Sequence, residues 1–162
     1  MSLLDRLIKE DKNGLFIGGA WQKASDGATI HVVDPSTEEE IAEVASASPD
    51  DAVAAVAAAH GAAGEWASTS PRLRSDILRR AFDLIHEEAE DLAQLITLEN
   101  GKTLADSRGE VRYGAEFFRW FSEEAVRNYG RVYDAPAGDK RIVVLNQPVG
   151  VSLLVTPWNF PL

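Results

Sequence analysis

The sequence predicts an α/β chain, and three observations carry that expectation. A β-rich stretch occupies about residues 15–45, helical apolar spacing with start and stop signals fills most of 48–128, and a nearly unbroken apolar run, Val149 to Val155, lies near the end. The run has the composition of a strand buried on both faces of a parallel sheet. The chain's length of 162 residues suits one ordinary domain.

Leu3, Leu4, Leu7 and Ile8 recur at helical spacing, which predicts a short amphipathic lead-in helix. Leu15-Phe16-Ile17 and Ala20-Trp21 read as strands on either side of a Gly18-Gly19 turn. Thr29 to Val33 is β-rich and is stopped by Asp34-Pro35-Ser36-Thr37, and Ile41 to Ala45 alternates as a further strand. Together they predict a small antiparallel meander over about 15–45.

Three helices follow. Ser48 can cap the first, Pro49 suits its first position, and Asp50 and Asp51 sit at the positive end of its dipole. Its alanine-rich body, with few polar interruptions, predicts packing on more than one side, and Gly61 and Gly64 are the expected stop. Ser70-Pro71 opens the second helix, which carries Leu73, Ile77, Ala81, Leu84, Ile85, Leu92, Leu95 and Ile96 and stops at Asn100-Gly101. The third runs from about Leu104 to Asn128, with Val111, Ala115, Phe118, Ser122 and Ala125 on one stripe and Phe117, Trp120 and Phe121 widening it. Gly130 closes it, and a loop over Asp134 to Asp139 leads to two β-rich runs, Arg141 to Leu145 and Val149 to Val155.

A double-faced apolar strand needs neighbouring strands and covering helices, and none follow Val155 in this sequence. Truncation is therefore expected. A simple hairpin between 149–155 and 141–145 is the alternative.

Composition excludes several classes. A net charge of −10 opposes sequence-independent binding to nucleic acid or to an anionic membrane. The absence of cysteine removes disulfides, thiolate metal sites and a cysteine nucleophile from the chain as given. No apolar stretch reaches the ~20 residues of a membrane span, and the start is charged rather than signal-like, so a cytoplasmic protein is the expectation. His31, His60 and His86 have no metal-ligand spacing, so no metal site is expected. There is no glycine-rich phosphate loop, and Glu99-Asn100-Gly101-Lys102 reads first as a helix terminus with a cation near its negative end.

The terminal turn carries the candidate chemistry. Thr156-Pro157-Trp158-Asn159-Phe160-Pro161 follows a strand directly, which places polar and aromatic groups at the carboxyl edge of a sheet, where open α/β sheets bind ligands. Two prolines stiffen it, and a side-chain amide on a rigid turn can donate to a developing oxyanion. A tryptophan packing anchor with a turn-forming asparagine is the competing reading of the same residues.

At these residues the sequence resembles the NAD(P)-dependent aldehyde dehydrogenase superfamily. Leu154 to Pro161 matches its Pro-Trp-Asn-Phe-Pro segment. Phe16 to Trp21, Val33 to Thr37, Leu98-Glu99-Asn100-Gly101-Lys102 and Gln147 to Val151 look like the family's N-terminal part, in order. Phe117 to Ala125 is similar to the succinate-semialdehyde dehydrogenase branch.

The resemblance implies that Asn159 stabilises an oxyanion, that Thr156, Pro157, Trp158 and Asn159 meet the nicotinamide end of NAD or NADP, and that Phe117, Trp120, Phe121 and Phe160 line the substrate entrance. Family chemistry is thiolate attack on the aldehyde, hydride transfer to NAD(P)+ and thioester hydrolysis with a glutamate base. The cysteine and that glutamate lie downstream of this motif in the family, so the chain alone is expected to be inactive. On this reading residues 1–134 are meander and helices flanking the cofactor domain, 135–148 belong to oligomerisation strands, and 149–162 begin the nucleotide-binding domain. The partners implied are a small aldehyde, with succinate semialdehyde the substrate suggested, and further copies of the chain. A non-catalytic assembly or interaction fragment is the alternative, and an unrelated helical binding domain a third.

Overall fold

The computed structural model describes residues 13–162. The expected lead-in helix lies outside the described residues.

Six short strands and four helices make up the described chain: β1 (Leu15–Ile17), β2 (Ala20–Gln22), β3 (Thr29–Val33), β4 (Glu40–Ala45), α1 (Pro49–Ser68), α2 (Pro71–Glu87), α3 (Ala89–Asn100), α4 (Leu104–Glu124), β5 (Arg131–Asp134) and β6 (Arg141–Val144). The strands form three separate antiparallel pairs, β1 with β2, β3 with β4 and β5 with β6. The region expected as one meander is thus two hairpins. The positive φ of Gly18 (62°) and Gly19 (84°) builds the tight turn of the first. A register shift at Val32/Val33 bulges the second.

Helix starts follow their capping chemistry. Ser48 accepts from the Asp51 amide while the Asp51 carboxylate accepts from the Ser48 amide, a capping box. Asp51 also accepts from the Ser25 amide at 3.1 Å, tying the loop after β2 to α1. Ser70 caps α2 and Thr103 caps α4.

Helix ends differ from expectation more than starts do. Gly61 and Gly64 do not stop α1, which continues to Ser68. Glycine only weakens a helix when no proline or αL residue ends it, and the stop here is Ser70-Pro71. The expected long second helix bends at Glu88 (φ −104°, ψ 15°) into α2 and α3, giving four helices rather than three. No glycine or proline marks the bend. Ile85, Ala89 and Leu92 on its two sides still pack on the same cluster, so the apolar stripe continues across the bend. Asn100-Gly101 does stop α3, with Gly101 left-handed at φ 76°.

The core is small and lies between α3 and α4, where Ala93, Ile96 and Val111 are buried and Leu104 packs beside them. The inward stripe of α4 is Ser107, Glu110, Val111, Gly114, Ala115 and Ser122. Phe117, Trp120 and Phe121 lie on its exposed side rather than widening that stripe. Along α1 only Asp51 is buried, and Val53, Val56 and Trp66 are exposed, so the expected packing of the alanine helix on several sides is not made among the described residues.

Two differences concern the strands near the end. Arg131–Asp134, expected as the lead into a loop, is β5 and pairs with β6 in register Tyr133 to Ile142. Residues 149–155, expected as a core strand, form no strand in this structure, and they do not pair with 141–145 either. Val149, Leu153, Leu154 and Val155 are exposed. A strand exists only against a partner, and no described strand pairs with this run.

Candidate active-site edge

The terminal turn is held against the junction between α3 and α4. The Asn100 side-chain amide donates to the Trp158 carbonyl at 3.1 Å. Lys102 Nζ donates to the Asn159 carbonyl at 2.7 Å, and the same ammonium lies 4.9 Å from the Phe160 ring centroid. Glu110 completes the anchor from α4: its Oε2 pairs with Lys102, and its Oε1 accepts from the Leu162 amide at 3.2 Å. Gly114 allows this docking, because a Cβ there would stand 3.3 Å from the Leu162 side chain. Within the turn, the Phe160 amide donates to the Pro157 carbonyl at 3.3 Å.

Local sequence explains the platform. The left-handed Gly101 ends α3 and reverses the chain. Thr103 then caps α4 through the Asp106 amide. Lys102 is thereby held between two helix termini, with its side chain largely covered and that of Glu110 almost fully so.

These residues help line an open cleft of about 510 Å³, formed by Asn100, Lys102, Asp106, Glu110, Asn159 and Phe160 together with Tyr113. Tyr113 also belongs to a neighbouring groove on α4 with Phe117, Trp120 and Phe121, where its ring meets that of Phe117 edge-on at 5.1 Å. A cleft with charged and amide groups in its lining and an aromatic groove therefore share Tyr113. The Trp158 and Asn159 backbone carbonyls carry these contacts, and among the described residues the Asn159 carboxamide takes no part in them.

The aldehyde dehydrogenase family matches residues 21–162. The chain belongs to that family. It is 60% identical over 122 residues to a succinate-semialdehyde dehydrogenase of Paenarthrobacter nicotinovorans, covering 75% of this chain and 27% of that protein. It is 42% identical over 150 residues to a 3-sulfolactaldehyde dehydrogenase of Pseudomonas putida, covering 93% of this chain and 31% of that one. Among solved structures, a betaine aldehyde dehydrogenase variant from Staphylococcus aureus in complex with NAD+ superposes with a TM-score of 0.90 at 32% identity, over 99% of this chain and 32% of that one. The sequence thus spans about a third or less of these relatives.

In this aldehyde dehydrogenase chain the expected site residues fall into three groups. Asn159 and Phe160 share the cleft with Lys102 and Glu110. Phe117, Trp120 and Phe121 share the aromatic groove beside it. Thr156, Pro157 and Trp158 line neither, and Trp158 is 84% exposed.

Sequence reasoning missed Asn100, Lys102 and Glu110 as partners of the turn. Lys102 was expected to act on the helix dipole, yet it makes an ion pair and a long-range hydrogen bond. The available signal was Glu110, a carboxylate on the apolar stripe of α4 one residue before Val111, a position that calls for a buried partner. Among the described residues no cluster of three or more His, Cys, Asp or Glu could hold a metal ion, and no helix is long and apolar enough to cross a membrane.

Proposed function

We propose that the chain is part of an enzyme that oxidises an aldehyde, succinate semialdehyde first, to the carboxylic acid with NAD+ or NADP+. The observation that carries the reading is the anchored turn, which fixes the backbone of Asn159 while leaving its carboxamide for another task. In that role the amide N–H groups of Asn159 donate to the aldehyde oxygen as negative charge develops on it. The attacking sulfur must come from outside this sequence, which has no cysteine.

The exposed Thr156 to Asn159 segment offers a hydroxyl and an indole N–H, which fit the nicotinamide end of NAD or NADP. The cofactor supplies the hydride acceptor when bound. Phe160 and the Phe117, Trp120 and Phe121 groove would form the apolar approach for the substrate. Succinate semialdehyde and 3-sulfolactaldehyde, the substrates that two relatives are named for, each carry an anionic group besides the aldehyde, which supports a small anionic aldehyde here.

The remaining assignments belong to the same reading. Residues 1–134 flank the cofactor domain, 135–148, which contain β6, are part of the oligomerisation strands, and 149–162 begin the nucleotide-binding domain. The location is cytoplasmic and the working form a homo-oligomer. Exposed Val132, Tyr133, Val143 and Leu145 on and beside the β5–β6 hairpin support strand-mediated assembly, and also favour the second reading, an assembly module without catalysis.

The test is an absorbance assay with succinate semialdehyde and NAD+ or NADP+. The intact gene product is expected to reduce the cofactor and the 162-residue chain alone to give no steady signal. Turnover by the isolated chain would contradict the division of labour. An intact product inert toward small anionic aldehydes would leave assembly, checked by size in solution, as the better account.

A further inference from the structure

We infer that Lys102 and Glu110 form an internal clamp that sets where Asn159 sits, making both of them positioning residues. The clamp rests on geometry, and its catalytic consequence rests on the function proposed above.

Four contacts converge on four residues of the turn, Trp158, Asn159, Phe160 and Leu162. Asn100 holds the Trp158 carbonyl, Lys102 holds the Asn159 carbonyl and faces the Phe160 ring, and Glu110 holds the Leu162 amide. An ammonium has three donors. One goes to Glu110 and one to Asn159, and the charge faces the aromatic ring. The two Glu110 oxygens are likewise divided, one to Lys102 and one to Leu162. Every one of these contacts joins the turn to positions 100–110, so the α3–α4 junction dictates the turn's place.

Packing alone does not explain the pair. Glu110 is 5% exposed and sits next to core Val111. An apolar side chain there would be at least as stable as a buried ion pair, whose desolvation offsets much of its attraction. A charged pair differs in being directional. It fixes one backbone carbonyl at one distance, which is the requirement for an oxyanion donor, where misplacement by about 1 Å costs on the order of 100-fold in rate. The Asn159 side chain is the one polar group of the turn expected at the reaction, and the clamp grips its carbonyl instead.

The test uses the intact gene product. Lys102→Met/Glu110→Gln removes both charges together and leaves no orphaned ion, so folding is retained, while Lys102→Arg keeps charge and donors. In the double variant, amide exchange over 158–162 is expected to quicken by about 10-fold or more. Its kcat should fall about 10- to 100-fold with KM for NAD(P)+ within about two-fold. Lys102→Arg should recover most of both. Unchanged exchange in the double variant would overturn the clamp. Faster exchange with unchanged kcat would overturn the positioning role, and so would equal losses in Lys102→Arg and the double variant. A wild-type product that oxidises no small anionic aldehyde would overturn the functional reading and the positioning role with it, while the exchange data still decide the clamp.

Discussion

The Asn100 side chain donates to the Trp158 carbonyl across 3.1 Å, joining the last residue of α3 to a turn 58 positions later. The contact is possible because the chain reverses immediately after Asn100, at Gly101. The helix terminus that looked like punctuation is therefore the platform of the candidate active-site edge.

Gly101 is the first point to test. Its φ of 76° is strained for any other residue but asparagine, and an added Cβ would lie 2.9 Å from the Pro35 ring, which cannot swing away. Gly101→Ala is expected to destabilise by about 1–3 kcal/mol. In a thermal melt that lowers Tm by several degrees, about 2–4 °C per kcal/mol at this size. An unchanged Tm would show that the turn relaxes freely.

The core and the unpaired terminal segment make opposite predictions for the same substitution. Val111 is 2% exposed between α3 and α4, so Val111→Ala should cost about 1–3 kcal/mol in urea unfolding. Val149 is 98% exposed, and Val149→Ala should change stability by less than about 0.5 kcal/mol in this chain. A large effect at Val149 would show that the segment packs on this chain after all.

Much of this was legible in the sequence, and the exceptions share a cause. Caps at Ser48 and Ser70 and the stop at Gly101 are local chemistry, and they appear where expected. The Pro-Trp-Asn-Phe-Pro segment was legible as a motif. The bend at Glu88 was not, because no glycine or proline marks it and the apolar stripe of Ile85, Ala89 and Leu92 runs unbroken across it. Lys102 was misread because its partners, Glu110 and Asn159, are 8 and 57 positions away. The run from Val149 to Val155 reads as a strand by composition, but strand formation depends on a partner that local pattern does not contain.

Acid stability should depend on Asp51. The Ser48 amide, and after it the Ser25 amide, hold its carboxyl below the ordinary carboxylate value against the opposing effect of burial. A depressed folded-state pKa means the stabilisation is complete above the unfolded-state value of about 4 and is lost as pH falls through the lower folded-state value. Asp51→Asn should therefore flatten the loss of stability below about pH 4 and cost most near neutrality. Urea midpoints measured across that range decide it, and parallel curves for the two proteins would rule Asp51 out.

The most direct measurement is kcat for Asn159→Ala in the intact gene product, with succinate semialdehyde as substrate. Loss of one oxyanion donor is expected to lower kcat by about 10²- to 10³-fold while KM for NAD(P)+ stays near the wild-type value. A variant turning over within about two-fold of wild type would contradict the role assigned to Asn159 and return the terminal turn to a packing anchor.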